Sequence, residues 1–419
     1  MARFIVTGGR PLHGSLRVSG AKNAALPILA ACLLSDAPVA LAECPELKDV
    51  GNMLSILSDL GAAYEREGGL LHIDASKADS FVMPSRISKE LRSSIFTLGP
   101  LLGRFQRAVC TYPGGCEIGH RPIDLHLKGL SMLGVEITEE HGQILCDGRN
   151  MHGAEIHLDY PSVGATENII MGAVRADGET IIHNAAREPE IVDLQRFLCS
   201  MGFFVSGAGT SDVRITGTKA PTKSVVHSVI PDRIVAGTML CAAAIAGGEV
   251  TLNNVRPEHM ASVLSKLREA GAIVLCGEHS VYLRAPDRLR EVKIIETLPY
   301  PGFPTDMQAQ FFALCTVAEG TSVVVENVFE GRFKHAAELA RMGAMFTQKD
   351  RTAVIRGVKR LTGTQVYARD LRGGAALTIA GLVALGETTV MNAELIDRGY
   401  EGMERMLTAI GARIRREED

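Results

Sequence analysis

The stretch "EHMASVLSKLREAGAIVLCGEHSVYLRA", residues 258–285, changes its hydrophobic period at Gly271. Before the glycine, Met260, Val263, Leu264 and Leu267 recur at helical spacing; after it, two short apolar runs flank the turn residues "GEHS". An amphipathic helix closed by a C-cap glycine and followed by a hairpin is the expectation. The same junction recurs at Gly61, Gly134, Gly202, Gly343 and Gly411, and the six glycines are spaced by 73, 68, 69, 72 and 68 residues. Six units of about seventy residues thus account for the 419-residue chain.

The opening half of each unit carries a second kind of helix: "KNAALPILAACLLS", "RSSIFTLGPLLGRF", "ATENIIMGAVRADG", "DRIVAGTMLCAAAIAGG", "TDMQAQFFALCTVAEG" and "RGGAALTIAGLVALG". These are apolar on nearly every face and are expected to be buried all round, with sheets wrapped about them. Four of them are followed by a strand that runs out to an asparagine: "GETIIHN", "GGEVTLNN", "GTSVVVEN" and "GETTVMN". Each unit therefore reads helix, strand, helix, strand, strand. The last copy stops one strand short at "ARIRREED", whereas extra strands, "RFIVTGG" and "SLRVSG", precede the first helix. Pairing the first residues with the last unit closes the set. The expected organisation is a discontinuous domain of residues 1–19 and 230–419, holding three units, and an inserted three-unit domain of residues 20–229.

Composition restricts what such a protein does. It is 46% apolar and 22% charged with a formal net charge of −4 and no block of like charges, which points away from nucleic acid and membrane surfaces and toward a small partner. Nine cysteines without C-x2-C spacing suggest neither a disulfide framework nor a zinc ribbon, and a reducing cytoplasmic setting is expected. The N-terminus lacks a signal-peptide core, and the apolar stretches fall short of the roughly 20 residues that span a bilayer. No G-x-x-x-x-G-K-[ST] or G-x-G-x-x-G phosphate loop is present, and no cofactor is demanded.

The chemistry gathers where the buried helices begin. Free N–H groups and the helix dipole favour anions there. The residues at those starts are Lys22-Asn23, Arg92-Ser93, Ser162-Val163-Gly164, Asp232-Arg233, Thr305-Asp306 and Arg372. Simple capping competes with anion binding for Ser162, Asp232 and Thr305. A cation at Lys22, Arg92 or Arg372 opposes the dipole, so an anion is expected beside it. Asp306 follows two prolines in "PGFPTDMQAQ" and is a candidate base, with an N-cap role as the alternative. Cys116, in "TYPGGCEIGHRPIDLH" at 111–126, is the one cysteine that looks placed for access, on a glycine-flanked loop with Arg121 and Asp124 close behind. The other eight are expected to pack. His120 and His126 lack a third ligand at metal spacing, so hydrogen-bonded structural roles are expected and no metal.

With these residues assembled, the chain resembles the enolpyruvyl transferases. The likeness runs from "SGAKNAALP" through "PGGCEIGHRPIDLH", "PSVGATENI", "NAAREPEIVDL", "PGFPTDMQAQ" and "DLRGGAALTIAGL" to "IDRGYE". It implies a two-domain inside-out α/β barrel of six βαβαββ repeats, three per domain, with the active site in the interdomain cleft. It also implies transfer of the enolpyruvyl group of phosphoenolpyruvate to the 3-hydroxyl of UDP-N-acetylglucosamine, with release of phosphate, at the first committed step of peptidoglycan synthesis. Cys116, Asp306 and Lys22 would be catalytic; Lys22 and Asn23 would contact phosphoenolpyruvate, Arg92 would lie in the cleft, and Arg121, Arg372 and Arg398 would hold phosphate and carboxylate. Arg121, Pro122, Ile123, Asp124 and Leu125, with Ser162, Val163, Gly164 and Val328, would form the sugar-nucleotide site. Cys116 would be the target of the epoxide antibiotic fosfomycin. Tyr160 stands where some members have Lys, and Gly331 where Asn is common beside Arg332. Two alternatives stay open on the residues: a branch that uses shikimate 3-phosphate, which lacks the PGGC loop, and a non-catalytic repeat scaffold.

Overall fold

The computed structural model describes residues 2–84, 91–112 and 123–418, leaving aside the side chain of Arg92. Within these the chain divides into two compact units, one of residues 2–19 and 231–418, the other from residues 20–230. Each has its own hydrophobic core.

In the unit from residues 20–230 the innermost elements are the helices Lys22–Ala31, Leu98–Phe105 and Val163–Ala173. In the other unit they are Arg233–Ala246, Gln308–Cys315 and Leu371–Gly381. Their apolar residues are almost fully buried, as sequences without a polar face require. Close approach depends on small residues: a Cβ on Gly99 would lie 2.3 Å from the carbonyl oxygen of Asn168 on the neighbouring helix. Asn168 completes that crossing by accepting from Gly99 N at 2.6 Å and donating to Ile95 O at 2.9 Å.

The amphipathic helices Lys48–Asp59, Asp124–Met132, Pro189–Met201, Ala261–Glu269, Lys334–Arg341 and Met403–Ala409 each precede one of the six repeat glycines. Gly61, Gly134, Gly202, Gly271, Gly343 and Gly411 all have left-handed φ, between 86° and 103°. Only glycine adopts this conformation without the Cβ penalty, so these residues turn each helix into its hairpin.

Among the described residues there are six sheets. Three strands of each come from the strand-and-hairpin pattern seen in the sequence. In five of the sheets a fourth strand is added in parallel at the edge, and in three of these it is one that periodicity does not reveal, because Glu155–His157, Ile294–Glu296 and Gln365–Tyr367 are three residues long. In the sheet of Arg107–Thr111 this element shrinks to a parallel bridge between Val82 and Val109.

The two chain crossings complete sheets at a distance. Leu12–Arg17 pairs in parallel with Gly248–Asn253, and Val225–Ser228 with Val39–Ala42. Ala2–Thr7 lies between Glu387–Met391 and Arg413–Glu418, antiparallel to both, so the N-terminal strand supplies what the last repeat lacks.

Candidate active site

The sequence concentrates charge at the starts of the buried helices, and each unit treats that charge differently. In the unit of residues 231–418, Asp232 caps Arg233–Ala246 by accepting from Ile234 N and Val235 N at 2.8 and 2.9 Å. Asp370 caps Leu371–Gly381 in the same way, from Arg372 N at 3.0 Å and Gly373 N at 2.9 Å.

Asp306 is not a cap; the turn Thr305–Met307 has no side-chain cap hydrogen bond. Its carboxylate instead receives one guanidinium on each oxygen. Arg332 Nη2 lies 2.6 Å from Oδ1 and Arg372 Nη2 lies 2.9 Å from Oδ2. Both arginine side chains are only 3% exposed, while Asp306 is 25% exposed. The carboxylate therefore offers its open side to solvent or a ligand while its geometry is set from beneath.

Arg372 is buried but keeps its charge. Burial opposes the guanidinium, and the Asp306 carboxylate, helped by the Tyr400 hydroxyl, outweighs it and raises the pKa above the ordinary value. Its Cζ sits 5.3 Å from the centre of the Tyr400 ring, a cation–π contact. The Tyr400 hydroxyl meets Thr238 Oγ1 at 2.9 Å, and Gln310 Nε2 donates to Thr238 Oγ1 and to Asp306 O, each at 2.9 Å. Nε and Nη1 of Arg372 are buried with no hydrogen-bond partner. Buried guanidinium donors without a full set of acceptors are costly, and an acceptor brought to them would relieve that cost. An anion presenting a carboxylate or phosphate fits that donor set.

His335 packs in the same cluster, its ring edge-on to Phe312 at 5.1 Å between centres. Burial, with Arg332 adding to it and Asp370 opposing, lowers its pKa to about 4.

In the unit from residues 20–230, Ser162 caps Val163–Ala173 through Ala165 N at 3.3 Å. Lys22 begins its helix and meets Asp49 at 3.4 Å. Glu167 lies in the interior with neither carboxylate oxygen hydrogen-bonded. Burial first, then Glu190 and Glu188, push its pKa well above the ordinary range, which holds the carboxyl neutral.

At the opposite, C-terminal ends of the buried helices in this unit, Arg104 donates to Leu33 O and Ser35 O, both at 2.9 Å. Arg175 reaches Leu34 O at 3.3 Å and Ala220 O at 2.7 Å. Cations belong at that end of a helix dipole; at the N-terminal end, where Lys22 sits, they need a carboxylate or an anionic ligand.

The expected site residues divide accordingly. Asp306 and Arg372 are in direct contact, and Arg398 ends the turn Ala393–Arg398, two residues before Tyr400. Val328 lies in the turn after the strand Thr321–Val325, half-buried. Lys22 and Asn23 open their helix; Ser162, Val163 and Gly164 form the start of another, with Gly164 against the buried His126. Ile123 is buried, and Asp124 and Leu125 begin the helix Asp124–Met132. Cys116, Arg121, Pro122 and His120 lie outside the described residues, as does the side chain of Arg92.

Two readings are narrowed and one expectation, the packing of all eight other cysteines, needs correction. Thr305 does not cap its helix; its hydroxyl donates to Glu326 at 2.9 Å. The anion beside Arg372 is the protein's own Asp306, with Nε and Nη1 left over. Cys199 and Cys276 are exposed, because one lies on the outer face of an amphipathic helix and the other at the end of a strand. His126 takes the structural role expected, bonded to Asn168 at 3.1 Å.

Sequence reasoning passed over Arg332, Tyr400 and Glu326. Glu326 and Tyr400 stand in the quoted stretches, and Arg332 beside Gly331, without a helix-start position to mark them; only their contacts with Thr305, Arg372 and Asp306 make them part of the site.

Over nearly its whole length the chain is similar to known proteins. A family model described as EPSP synthase (3-phosphoshikimate 1-carboxyvinyltransferase) matches residues 6–407. A curated UDP-N-acetylglucosamine 1-carboxyvinyltransferase 2 of Caldanaerobacter subterraneus subsp. tengcongensis is 50% identical over 414 residues, 99% of each chain. The UDP-N-acetylglucosamine 1-carboxyvinyltransferase of Halothermothrix orenii is 47% identical over 99% of this chain and 100% of that protein. Among solved structures, the enolpyruvyl transferase NikO from Streptomyces tendae superposes with a TM-score of 0.88 at 24% identity, covering 99% of this chain and 98% of that one. An EPSP synthase from Acinetobacter baumannii gives a TM-score of 0.76 at 18% identity over 100% of both chains. These two share the fold.

Proposed function

Because the chain belongs to the EPSP synthase family and, within it, to the UDP-N-acetylglucosamine 1-carboxyvinyltransferases, we propose the following use of its residues in enolpyruvyl transfer. The enzyme moves the 1-carboxyvinyl group of phosphoenolpyruvate to the 3-hydroxyl of UDP-N-acetylglucosamine, the step that commits the amino sugar to peptidoglycan. Cell shape and division lie downstream of that product, and the cytoplasm is where both substrates are met. No helix among the described residues is long and apolar enough to cross a membrane.

Phosphoenolpyruvate carries a phosphate and a carboxylate, and its charge is met by Lys22, Arg92, Arg121, Arg372 and Arg398, with Asn23 as a neutral donor. A proton added to the methylene carbon makes the adjoining carbon electrophilic. The 3-hydroxyl oxygen bonds to that carbon while its proton passes to the Asp306 carboxylate. Loss of a proton from the new methyl group and breakage of the bond to the phosphate oxygen then yield the enol ether and inorganic phosphate. Cys116 serves the acid side, and each such positioned proton transfer contributes typically about 10²–10⁴-fold in rate. Residues 121–125 with Ser162, Val163, Gly164 and Val328 hold the sugar nucleotide.

The observation that carries these roles is the Asp306 carboxylate gripped by Arg332 and Arg372, with two buried donors of Arg372 still unpaired. Phosphate release measured with UDP-N-acetylglucosamine and with shikimate 3-phosphate tests the assignment. Release with the first acceptor is expected; release with shikimate 3-phosphate alone would reverse it. Mass spectrometry after fosfomycin treatment is expected to find the adduct on Cys116, and labelling at Cys199 or Cys276 instead would remove the loop from the site.

A further inference from the structure

One joint recurs through both units. The residue leaving each short parallel strand donates its amide to the last carbonyl of the strand beside it: Val18 to Asn253, Leu158 to His183, Val229 to Ala42, Thr297 to Val325 and Ala368 to Met391, all at 3.0–3.1 Å. The residue that follows the accepting carbonyl is left-handed in four of the five, namely Asn254, Asn184, Glu43 and Asn392, with φ of 55°, 53°, 56° and 60°. The three asparagines donate Nδ2 back to Val18 O at 2.7 Å, Leu158 O at 2.7 Å and Ala368 O at 3.2 Å. There the side chain does one thing, which is to lock two strands.

In the fifth joint that place is taken by Glu326, which is not left-handed and is fully buried. Its Oε1 accepts from Thr297 Oγ1 at 2.9 Å, Val328 N at 2.8 Å and Phe329 N at 3.0 Å. Its Oε2 accepts from Thr305 Oγ1 at 2.9 Å. Four donors around one carboxyl group offset its burial, and a carboxylate can accept from all of them where an asparagine offers one acceptor oxygen. One oxygen shapes the turn that presents Val328. The other holds the residue next to Asp306.

From this we infer that Glu326 is a positioning residue that sets the acceptor against the base. It acts through Val328 and Thr305 and touches neither substrate. The inference rests on the assignment above, in which Val328 belongs to the sugar-nucleotide site and Asp306 receives the 3-hydroxyl proton. The repeat that carries Asp306 has exchanged a strand lock for a rigid link between two parts of the site, and a rigid link preserves the alignment on which effective molarity depends.

The test compares the unmodified enzyme with Glu326→Asn, Glu326→Gln and Thr305→Val, reading phosphate release, both KM values, kcat and the thermal midpoint. Glu326→Asn, which installs the residue found at three of the other four joints, is expected to raise KM for UDP-N-acetylglucosamine about tenfold or more and to lower kcat, with KM for phosphoenolpyruvate moving less than about threefold. Glu326→Gln keeps an acceptor for the Val328 and Phe329 amides and is expected to recover most of that KM. Thr305→Val cuts only the second link, so kcat falls while KM for the sugar nucleotide holds.

Unchanged kinetics in Glu326→Asn, or a common rise of both KM values with Glu326→Gln no better than Glu326→Asn, would overturn the inference. Should Glu326→Asn fail to fold, Thr305→Val decides alone, and an unaltered kcat there overturns it. An unmodified protein that releases no phosphate from phosphoenolpyruvate and UDP-N-acetylglucosamine overturns the functional assignment and this inference together; an active one with indifferent variants overturns only the inference.

Discussion

The two units are built from the same repeat, yet the starts of their buried helices partner their charges differently. In residues 231–418 the groups are spent on one another: Asp306 lies between Arg332 and Arg372, while Asp232 and Asp370 cap their helices. In residues 20–230 a serine does the capping, Lys22 stands at a helix start with Asp49 at 3.4 Å, and the buried carboxyl of Glu167 has no hydrogen bond at all. A shared scaffold therefore does not dictate a shared electrostatic plan. Each unit sets a cation at a helix start, Arg372 in one and Lys22 in the other, and pairs it with a carboxylate; only in the first is that carboxylate, the candidate base, held by two guanidiniums.

The most severe break of this comparison is Asp306→Asn. It leaves Arg332 and Arg372 without their carboxylate and removes the proton acceptor, so kcat is expected to fall by about 10²–10⁴-fold in a phosphate-release assay, with the fold intact by circular dichroism. A loss below tenfold would separate Asp306 from the chemistry. Next in size is Arg372→Met. Asp306 keeps Arg332 but loses the charged hydrogen bond on its other oxygen, and a loss of about 1.5–3 kcal/mol from the unit of residues 231–418 is expected in denaturant unfolding. Arg104→Met, at the helix C-termini of the other unit, should leave activity unchanged, since its donors go to backbone carbonyls.

Acidity sharpens the contrast. Between about pH 6.5 and 4 the unfolded chain takes a proton on His335 that the folded one refuses, so residues 231–418 lose stability as pH falls through that window. Glu167 acts with the opposite sign. Its folded pKa is raised, so above pH 4.5 the folded state holds a proton that the unfolded chain releases, and residues 20–230 lose stability as pH rises. Each slope is at most about 1.4 kcal/mol per pH unit. Hydrogen exchange followed by unit should show the two trends diverging, and Glu167→Gln should abolish one of them alone; parallel trends would sink the comparison. The smallest effect concerns what the units share. Gly202→Ala in one unit or Gly411→Ala in the other forces a side chain into a left-handed position at about 1–2 kcal/mol, with similar values expected in either unit.

Much of the architecture was legible because its signals are local. The six glycines marked positive φ at helix ends, and the apolar helices announced their own burial. The N-terminal strand completing the last sheet followed from counting strands. What escaped was short or distant. Three-residue parallel strands carry no period of their own, and Thr305 looked like a cap although its hydroxyl bonds to Glu326, twenty-one residues on. Helix-start position singled out Lys22, Asp306 and Arg372 as candidates, but could not reveal that Asp306 and Arg372 grip each other across 66 residues.

Periodicity and backbone preference settled the repeat, the buried helices and the list of charged residues to watch, since those properties depend on neighbours three or four positions away. Partnership belonged to packing. Which carboxylate meets which guanidinium, why Glu167 is left neutral and Arg372 left charged, and how Glu326 ties Val328 to Thr305 are all consequences of excluding water from groups that meet only once the chain has folded, where desolvation makes each contact or its lack decisive.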